Sequence, residues 1–322
     1  MRRRHLLSLA ATGLAMPAVS RAQGAWPDRA VRLIVPFPPG GSTDTIARII
    51  NPKLSEALGK PVVIENRSGA SGSVGAIEAA RAAADGYTWL LAYDNEATNQ
   101  TVMRLPYKLL EAFAPVSLVA TGPLALVAHQ SLPWRNFQDV VAAAKAAPET
   151  ISFASSGVGG LAHVSTTLLQ QQGGFRLTHV PYRGGGPALQ DALSAQVPLF
   201  MSNVVIISQH IRAGTLRPLG VTTAGETRHV PGVRSFAQQG FAGFEAPTWW
   251  AFLGRAGTPP AILARMEEAL HGVLANAEVR NKIEEQGADV VAGGPDQCRS
   301  FLAREVEKWA KVIRDNNITL ES

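Results

Sequence analysis

The sequence predicts an α/β protein built from two doubly wound units with mixed sheets, joined by two crossover strands. Three observations carry this. The chain has 322 residues, 46% hydrophobic and 17% charged, which is enough apolar material for two units and excludes general disorder. Short apolar runs rich in β-branched residues alternate with helical patterns along its length. Two apolar stretches, 116–128 and one around Trp249, sit at the junctions and are longer than one domain's strand needs. They divide the chain into a discontinuous lobe, 23–121 plus 245–322, and an inserted lobe, 122–244. In such an architecture ligands lie in the cleft, beyond the carboxyl ends of parallel strands where helix starts converge.

Each element follows from its residues. Residues 31–37 read as a buried strand, broken by Pro38-Pro39-Gly40-Gly41-Ser42-Thr43-Asp44. A helix follows, with Ile46, Ile49, Ile50, Leu54 and Leu58 on one face and Gly59 as its stop; Pro52 predicts a kink or a restart at Asn51. Next come a strand at 62–66, a glycine-rich connection at 68–75, an alanine-rich helix at 76–84 and a strand at 87–92. The pattern restarts with helix 137–147, strand 151–154, helix 161–172, strand 177–182 and helix 187–195. It continues with strand 197–202, helix 206–213 and strand 216–222. A polar stretch at 223–243 leads to a strand at 249–254 and a helical C-terminal region. There Ile262, Met266, Ala269, Leu270 and Val273 form one stripe, and Leu302, Val306, Trp309 and Ile313 another.

The formal charge of +5 is a property of the N-terminus. Arg2, Arg3, Arg4 and Arg21 fall in an acid-free stretch of 22 residues, and the rest carries 26 basic against 25 acidic side chains. That balance leaves no electrostatic footprint for nucleic acid. The basic start, the apolar run 6–15 and Ser20-Arg21-Ala22 predict a cleaved leader over 1–22, with the mature chain starting near Gln23. A periplasmic protein is expected, exported by the Sec or the twin-arginine route. The single cysteine, Cys298, excludes an internal disulfide and a cysteine-based zinc site, and its place in a helical pattern reads as a structural thiol.

Four segments stand where a strand gives way to a helix or loop. Residues 38–44 offer glycines, hydroxyls and a helix start, with Asp44 a candidate N-cap; the alternatives are an anion cradle and a plain capped turn. Ser155-Ser156-Gly157-Val158-Gly159-Gly160 repeats the arrangement ahead of a helix with His163 in its first turn, and Tyr182-Arg183-Gly184-Gly185-Gly186-Pro187 repeats it again. Asp94-Asn95-Glu96 follows the third strand, and as cleft acids these would suit a cationic or amino-bearing ligand, or else form a solvated loop. Trp249-Trp250 offers the cleft at most one indole, because successive strand residues alternate faces. No dinucleotide spacing, phosphate-binding G-x-x-x-x-G-K-[ST], nucleophile elbow or H-E-x-x-H occurs, so neither a cofactor nor a metal is expected. A secreted hydrolase using Ser156 and His163 is the catalytic alternative, and a ligand sensor for a signalling receptor another.

Trp26-Pro27 with Pro36-Phe37-Pro38-Pro39-Gly40-Gly41-Ser42-Thr43-Asp44 and Ala47-Arg48 resembles the opening of the periplasmic solute-binding proteins of tripartite tricarboxylate transporters, the Bug proteins. The likeness continues at Gly59-Lys60-Pro61-Val62-Val63-Ile64-Glu65-Asn66-Arg67, Asp85-Gly86-Tyr87-Thr88, Ala154-Ser155-Ser156-Gly157 with His163, and Val180-Pro181-Tyr182-Arg183-Gly184-Gly185-Gly186-Pro187-Ala188. The resemblance implies a two-lobed type II periplasmic-binding fold that closes on a small organic acid and delivers it to membrane permease subunits, as a monomer and without catalysis. Carried over, the contacts fall on Gly40, Gly41, Ser42, Thr43 and Asp44 from one lobe. From the other they fall on Ser155, Ser156, Gly157, His163, Tyr182, Gly185, Gly186 and Asn203. Asp94 joins them from the segment that departs from the family's small, hydroxyl-rich pattern. Pro106-Tyr107-Lys108, which lacks an acid after the tyrosine, and Pro52 are further departures.

Overall fold

A computed structural model describes residues 26–319, so the leader expected at 1–22 lies outside the described residues. The strands are β1 (Val31–Val35), β2 (Val62–Asn66), β3 (Thr88–Tyr93), β4 (Phe113–Gly122), β5 (Leu124–His129), β6 (Ser152–Ser155), β7 (Thr178–Pro181), β8 (Leu199–Asn203), β9 (Leu216–Val221), β10 (Thr248–Arg255) and β11 (Asp289–Gly293). The helices are α1 (Ser42–Leu58), α2 (Ser73–Arg81), α3 (Asn95–Val102), α4 (Leu109–Ala112), α5 (Phe137–Ala146), α6 (Leu161–Gly173), α7 (Gly185–Leu193), α8 (Val204–Arg212), α9 (Pro260–Ala275), α10 (Ala277–Gln286) and α11 (Pro295–Asp315).

Two mixed sheets result, as the alternating pattern requires. One runs β11-β4-β10-β3-β1-β2 and the other β7-β6-β8-β5-β9. β1 pairs in parallel with β2 and β3, and β6 in parallel with β7 and β8, so the turns after β1, β3, β6 and β8 leave their sheets at carboxyl ends. The chain passes between the sheets twice. The first passage is sharper than the single run at 116–128 suggests: β4 ends at Gly122 and β5 opens at Leu124 in the other sheet. Pro123, with no N–H to donate, breaks the ladder between them. The second passage, before β10, runs beside the first. The Thr222 hydroxyl accepts from the Leu124 N–H at 2.9 Å and donates to the Ala246 carbonyl at 2.8 Å, which ties the two passages together.

Apolar faces decide the packing. α1 buries Ile46, Ala47, Ile50, Leu54 and Leu58, and it runs unbroken through Pro52 because buried residues hold it on both sides. The restart expected at Asn51 does not occur. Trp249 and Trp250 are both fully buried, so neither indole lines the cleft. Cys298 is buried within α11, where burial pushes its thiol up to about 12. Among the described residues no helix is long and apolar enough to cross a membrane.

Candidate functional site

The turns at the carboxyl ends of β1, β3, β6 and β8 meet the start of α7 between the two sheets. They enclose an inner chamber of about 40 Å³, lined by Gly41, Ser42 and Thr43 on one side and Gly185, Gly186 and Asn203 on the other. Phe37, Pro38 and Ser156 also line an adjoining vestibule of about 560 Å³. Ser71, Gly157, Tyr182 and Arg183 are among the vestibule's walls.

The first loop presents its helix start to the chamber. Gly41 is the N-cap of α1, and no side chain caps the helix. The first-turn N–H groups of Ser42 and Thr43 have no intrahelical acceptor, and the helix dipole adds positive potential there. Asp44 is not the N-cap expected of it. It lies within the first turn, 2% exposed, where its carboxylate accepts from the Gly40 N–H at 2.9 Å, Arg48 Nε at 2.8 Å and Asn66 Nδ2 at 3.0 Å. Burial opposes its ionisation, but those donors outweigh burial and hold it below the usual carboxylate range. Asp44 and Gly40 therefore shape the loop and do not line the chamber. Thr43 Oγ1 is buried against the chamber without a hydrogen-bond partner. An unmatched buried hydroxyl costs about 1–3 kcal/mol, so an incoming acceptor gains by taking it.

The opposite wall is a second uncapped helix start. Gly184 precedes α7 with φ 145, a conformation that favours glycine. Gly185 and Gly186 bring their backbone to the chamber. A Cβ on Gly185 would lie 2.3 Å from Ile206 Cδ1, so a side chain there would have to displace the end of Ile206.

Polar bridges join the lobes around this chamber. Asn203 Nδ2 donates to Ser42 Oγ at 3.1 Å and to the Tyr93 hydroxyl at 2.9 Å, while its Oδ1 accepts from the Ile206 N–H at 3.3 Å. Full burial, with the Asp94 charge beside it, pushes the Tyr93 phenol well up and keeps it neutral. Farther out, Ser71 Oγ donates to the Val158 carbonyl at 3.0 Å. Gly157, at φ 148, comes so close that an added Cβ would lie 2.7 Å from Ser71 Oγ.

Several residues expected in the site lie elsewhere. Ser155 Oγ donates to the Gly157 carbonyl at 3.0 Å and contacts His179 Nε2 at 2.7 Å. His163 stacks on His179 with centroids 3.8 Å apart, and its Nδ1 accepts from the Gly159 N–H at 3.0 Å. Burial drives His163 down to about 4, and burial followed by the neighbouring His163 drives His179 down to about 3, so both rings are neutral. No hydrogen bond joins Ser156 to His163; Ser155 Oγ lies within hydrogen-bonding distance of both the Gly157 carbonyl and His179 Nε2. Tyr182 lines the vestibule, but its phenol donates to Asp191 Oδ2 at 2.6 Å.

Asp94 and Glu96 are corrections of another kind. Their segment is not a cleft loop: it opens α3, which packs against α11 and turns both acids inward. Asp94 is 3% exposed and accepts a very short hydrogen bond from the Thr248 hydroxyl; Glu96 is fully buried and accepts from Tyr107 at 2.6 Å. Burial raises each carboxyl to about 7. Neither lines the chamber or the vestibule.

Sequence reasoning missed Phe37, Tyr93, Ser71 and Ile206. Tyr93 ends a parallel strand and Phe37 follows one, a positional signal that was available. Ser71 was hidden in a glycine-rich connection; it holds φ 50 because Asn95 and Asn99 both donate to its carbonyl.

With this geometry in hand, the comparisons are decisive. The model of the tripartite tricarboxylate transporter family receptor matches residues 46–318. The chain belongs to that receptor family. Protein BugT of Bordetella pertussis is 37% identical over 97% of this chain and 96% of its own length. A Rhodopseudomonas palustris protein solved with adipate superposes with a TM-score of 0.87 at 34% identity, covering 92% of this chain and all of that one. MatC of the same organism, solved with bound malate, gives 0.84 at 28% identity over 89% of this chain and all of its own. The family's fold is the two-sheet, two-lobed architecture described above.

Proposed function

We propose that this receptor captures a small organic carboxylate in the inner chamber by closure of lobe 23–121 plus 245–322 onto lobe 122–244, and delivers it to the permease of a tripartite transporter. One observation carries the reading: the uncapped starts of α1 and α7 face each other across a chamber whose Thr43 hydroxyl is buried and unmatched. Opposed helix starts supply N–H donors and positive potential without a lysine or arginine, an arrangement suited to a carboxylate. The relatives solved with adipate and malate support the ligand class. The Asn203 bridges to Ser42 and Tyr93 are what closure would make and opening would break. Export to the periplasm is supported by the basic and apolar pattern of residues 1–22.

A thermal-shift screen of mono-, di- and tricarboxylates, amino acids and aromatic acids on the mature protein tests the ligand class, since a ligand of the native state alone raises the melting temperature. A dose-dependent rise with a carboxylate is expected; a response confined to amines or sugars would overturn the reading. Periplasmic material should have an intact mass starting near Gln23, and retention of Met1 would contradict export.

A further inference from the structure

Three contacts seat residues 158–161, from the inserted lobe, on the discontinuous one, and none of the residues that make them lines the inner chamber. Ser71 Oγ donates to the Val158 carbonyl at 3.0 Å. Gly159 lies against α3, where an added Cβ would fall 2.7 Å from Val102 Cγ1. The Leu161 N–H, at the start of α6, goes to the Asp94 carboxyl, which also accepts from Thr248 at the start of β10. A carboxylate at a helix start fills the place that an anion from solution would take. The start of α6 is thereby committed to the facing lobe.

The Ser71 side of this contact is built in advance. Gly69, Ala70, Ser71 and Gly72 follow one another at φ 139, 44, 50 and 86. Two successive non-glycine residues in the left-handed region are uncommon and persist only where their surroundings enforce them. The enforcement comes from α3. Asn95 and Asn99 both donate to the Ser71 carbonyl, and each leaves its own Oδ1 buried without a hydrogen-bond partner. Turned this way, the Ser71 hydroxyl points at the other lobe. Residues 69–72, Asn95 and Asn99 all belong to one lobe, so the donor is in place before the lobes meet and little ordering is needed when they do.

We propose that Ser71 and Asp94 are positioning residues for ligand capture: with α3 they form a latch that receives residues 158–161 and holds the lobes together before a ligand arrives. This rests on the lobe-closure reading above and adds to it determinants of affinity that lie outside the inner chamber. A latch biases only the balance between open and closed forms, so its loss weakens every ligand by the same factor. A direct ligand contact would instead weaken only those ligands that reach it.

Calorimetry and small-angle X-ray scattering on the intact mature protein test the latch, with malonate and adipate as probes and Ser71→Ala and Ser71→Gly as variants. Both variants lack the hydroxyl, and glycine suits the positive φ, so a loss shared by the two cannot be assigned to backbone strain. Removing one hydrogen bond should weaken malonate and adipate alike, by a common factor of about three. The unliganded variants should also scatter with a larger radius of gyration than the unliganded wild type. A loss confined to adipate, or unchanged affinity and scattering in both variants, would overturn the latch and leave the carboxylate reading standing. If neither acid binds the wild type, the carboxylate reading falls, and the unliganded scattering decides the latch alone: a larger radius supports it and an equal one overturns it.

Discussion

Residues 38–44 and 155–160 look interchangeable in the sequence, each a glycine- and hydroxyl-rich turn between a parallel strand and a helix start. In the fold they do opposite things. The first leaves its helix start open to the chamber, with Thr43 Oγ1 unmatched. In the second, the Leu161 N–H at the start of α6 goes to the Asp94 carboxyl, His163 takes the Gly159 N–H, Ser155 contacts Gly157 and His179, and Ser156, Gly157 and Val158 border the ligand space. The work expected of it passes to the turn before α7. Glycines and hydroxyls make an anion site possible, and whether another group takes the first-turn amides decides if they remain free. Both first-turn side chains bond back onto their own loop, Asp44 to the Gly40 N–H and His163 to the Gly159 N–H, and neither helix start carries a side-chain cap; what sets α6 apart is Asp94, whose carboxyl takes the Leu161 N–H.

The comparison breaks most visibly at Gly41. Its φ of −75 admits any residue, and an added Cβ meets only ordinary contacts. Gly41→Val should therefore fold with a near-wild-type melting temperature while filling the chamber. Loss of charge-assisted contacts worth about 1.5–3 kcal/mol each should weaken carboxylate binding roughly 10- to 100-fold or more by calorimetry.

Asp94→Asn separates the buried acids from the ligand. The folded carboxyl sits near 7, against 3.8 for an ordinary Asp, so the native state binds its proton more tightly than the unfolded chain. That contribution is present at low pH and is lost as the pH rises through about 7. His163 and His179 act in the opposite direction: their stabilisation is present above pH 6.5 and is lost as the pH falls toward 4 and 3. Asp94→Asn should raise the melting temperature at pH 8, flatten its slope between pH 4 and 7, and leave the ligand profile unchanged. A new preference among ligands would return Asp94 to the cleft.

Thr43→Val should lower carboxylate affinity by about 1–2 kcal/mol while leaving the unliganded protein as stable or more so, because the orphan hydroxyl is gone. Equal affinity for the variant would show that the anion ignores this hydroxyl. The smallest effect is expected in the loop before α6. Ser155→Ala should cost about 1 kcal/mol in denaturant unfolding and nothing in affinity.

Much of the fold was legible because strand and helix patterns follow from local burial periodicity. The sheet order was not, because the antiparallel pairing of β10 with β3 and β4 joins segments far apart in the chain. The site was legible in part. Gly41, Ser42, Thr43, Gly185 and Gly186, which line the chamber, stand in turns the sequence singles out after strands, whereas Asn203 was expected only from the family resemblance. Asp94, Glu96, Ser155 and His163 could not be placed. Their fates depend on α11, more than 190 residues along the chain, and on the stacking of His163 on His179, and no local pattern encodes such contacts. Tyr93 and Ser71 were hidden for the same reason, their partners being supplied by the other lobe.

The central claim is that the starts of α1 and α7, and not that of α6, hold the anion. Titrating ¹⁵N-labelled mature protein with adipate and following backbone amide resonances tests this directly. The largest shifts should fall on Ser42, Thr43, Gly185 and Gly186, with Leu161 and Ala162 little changed. Shifts concentrated at Leu161, Ala162 and His163, with Ser42 and Thr43 unmoved, would contradict it.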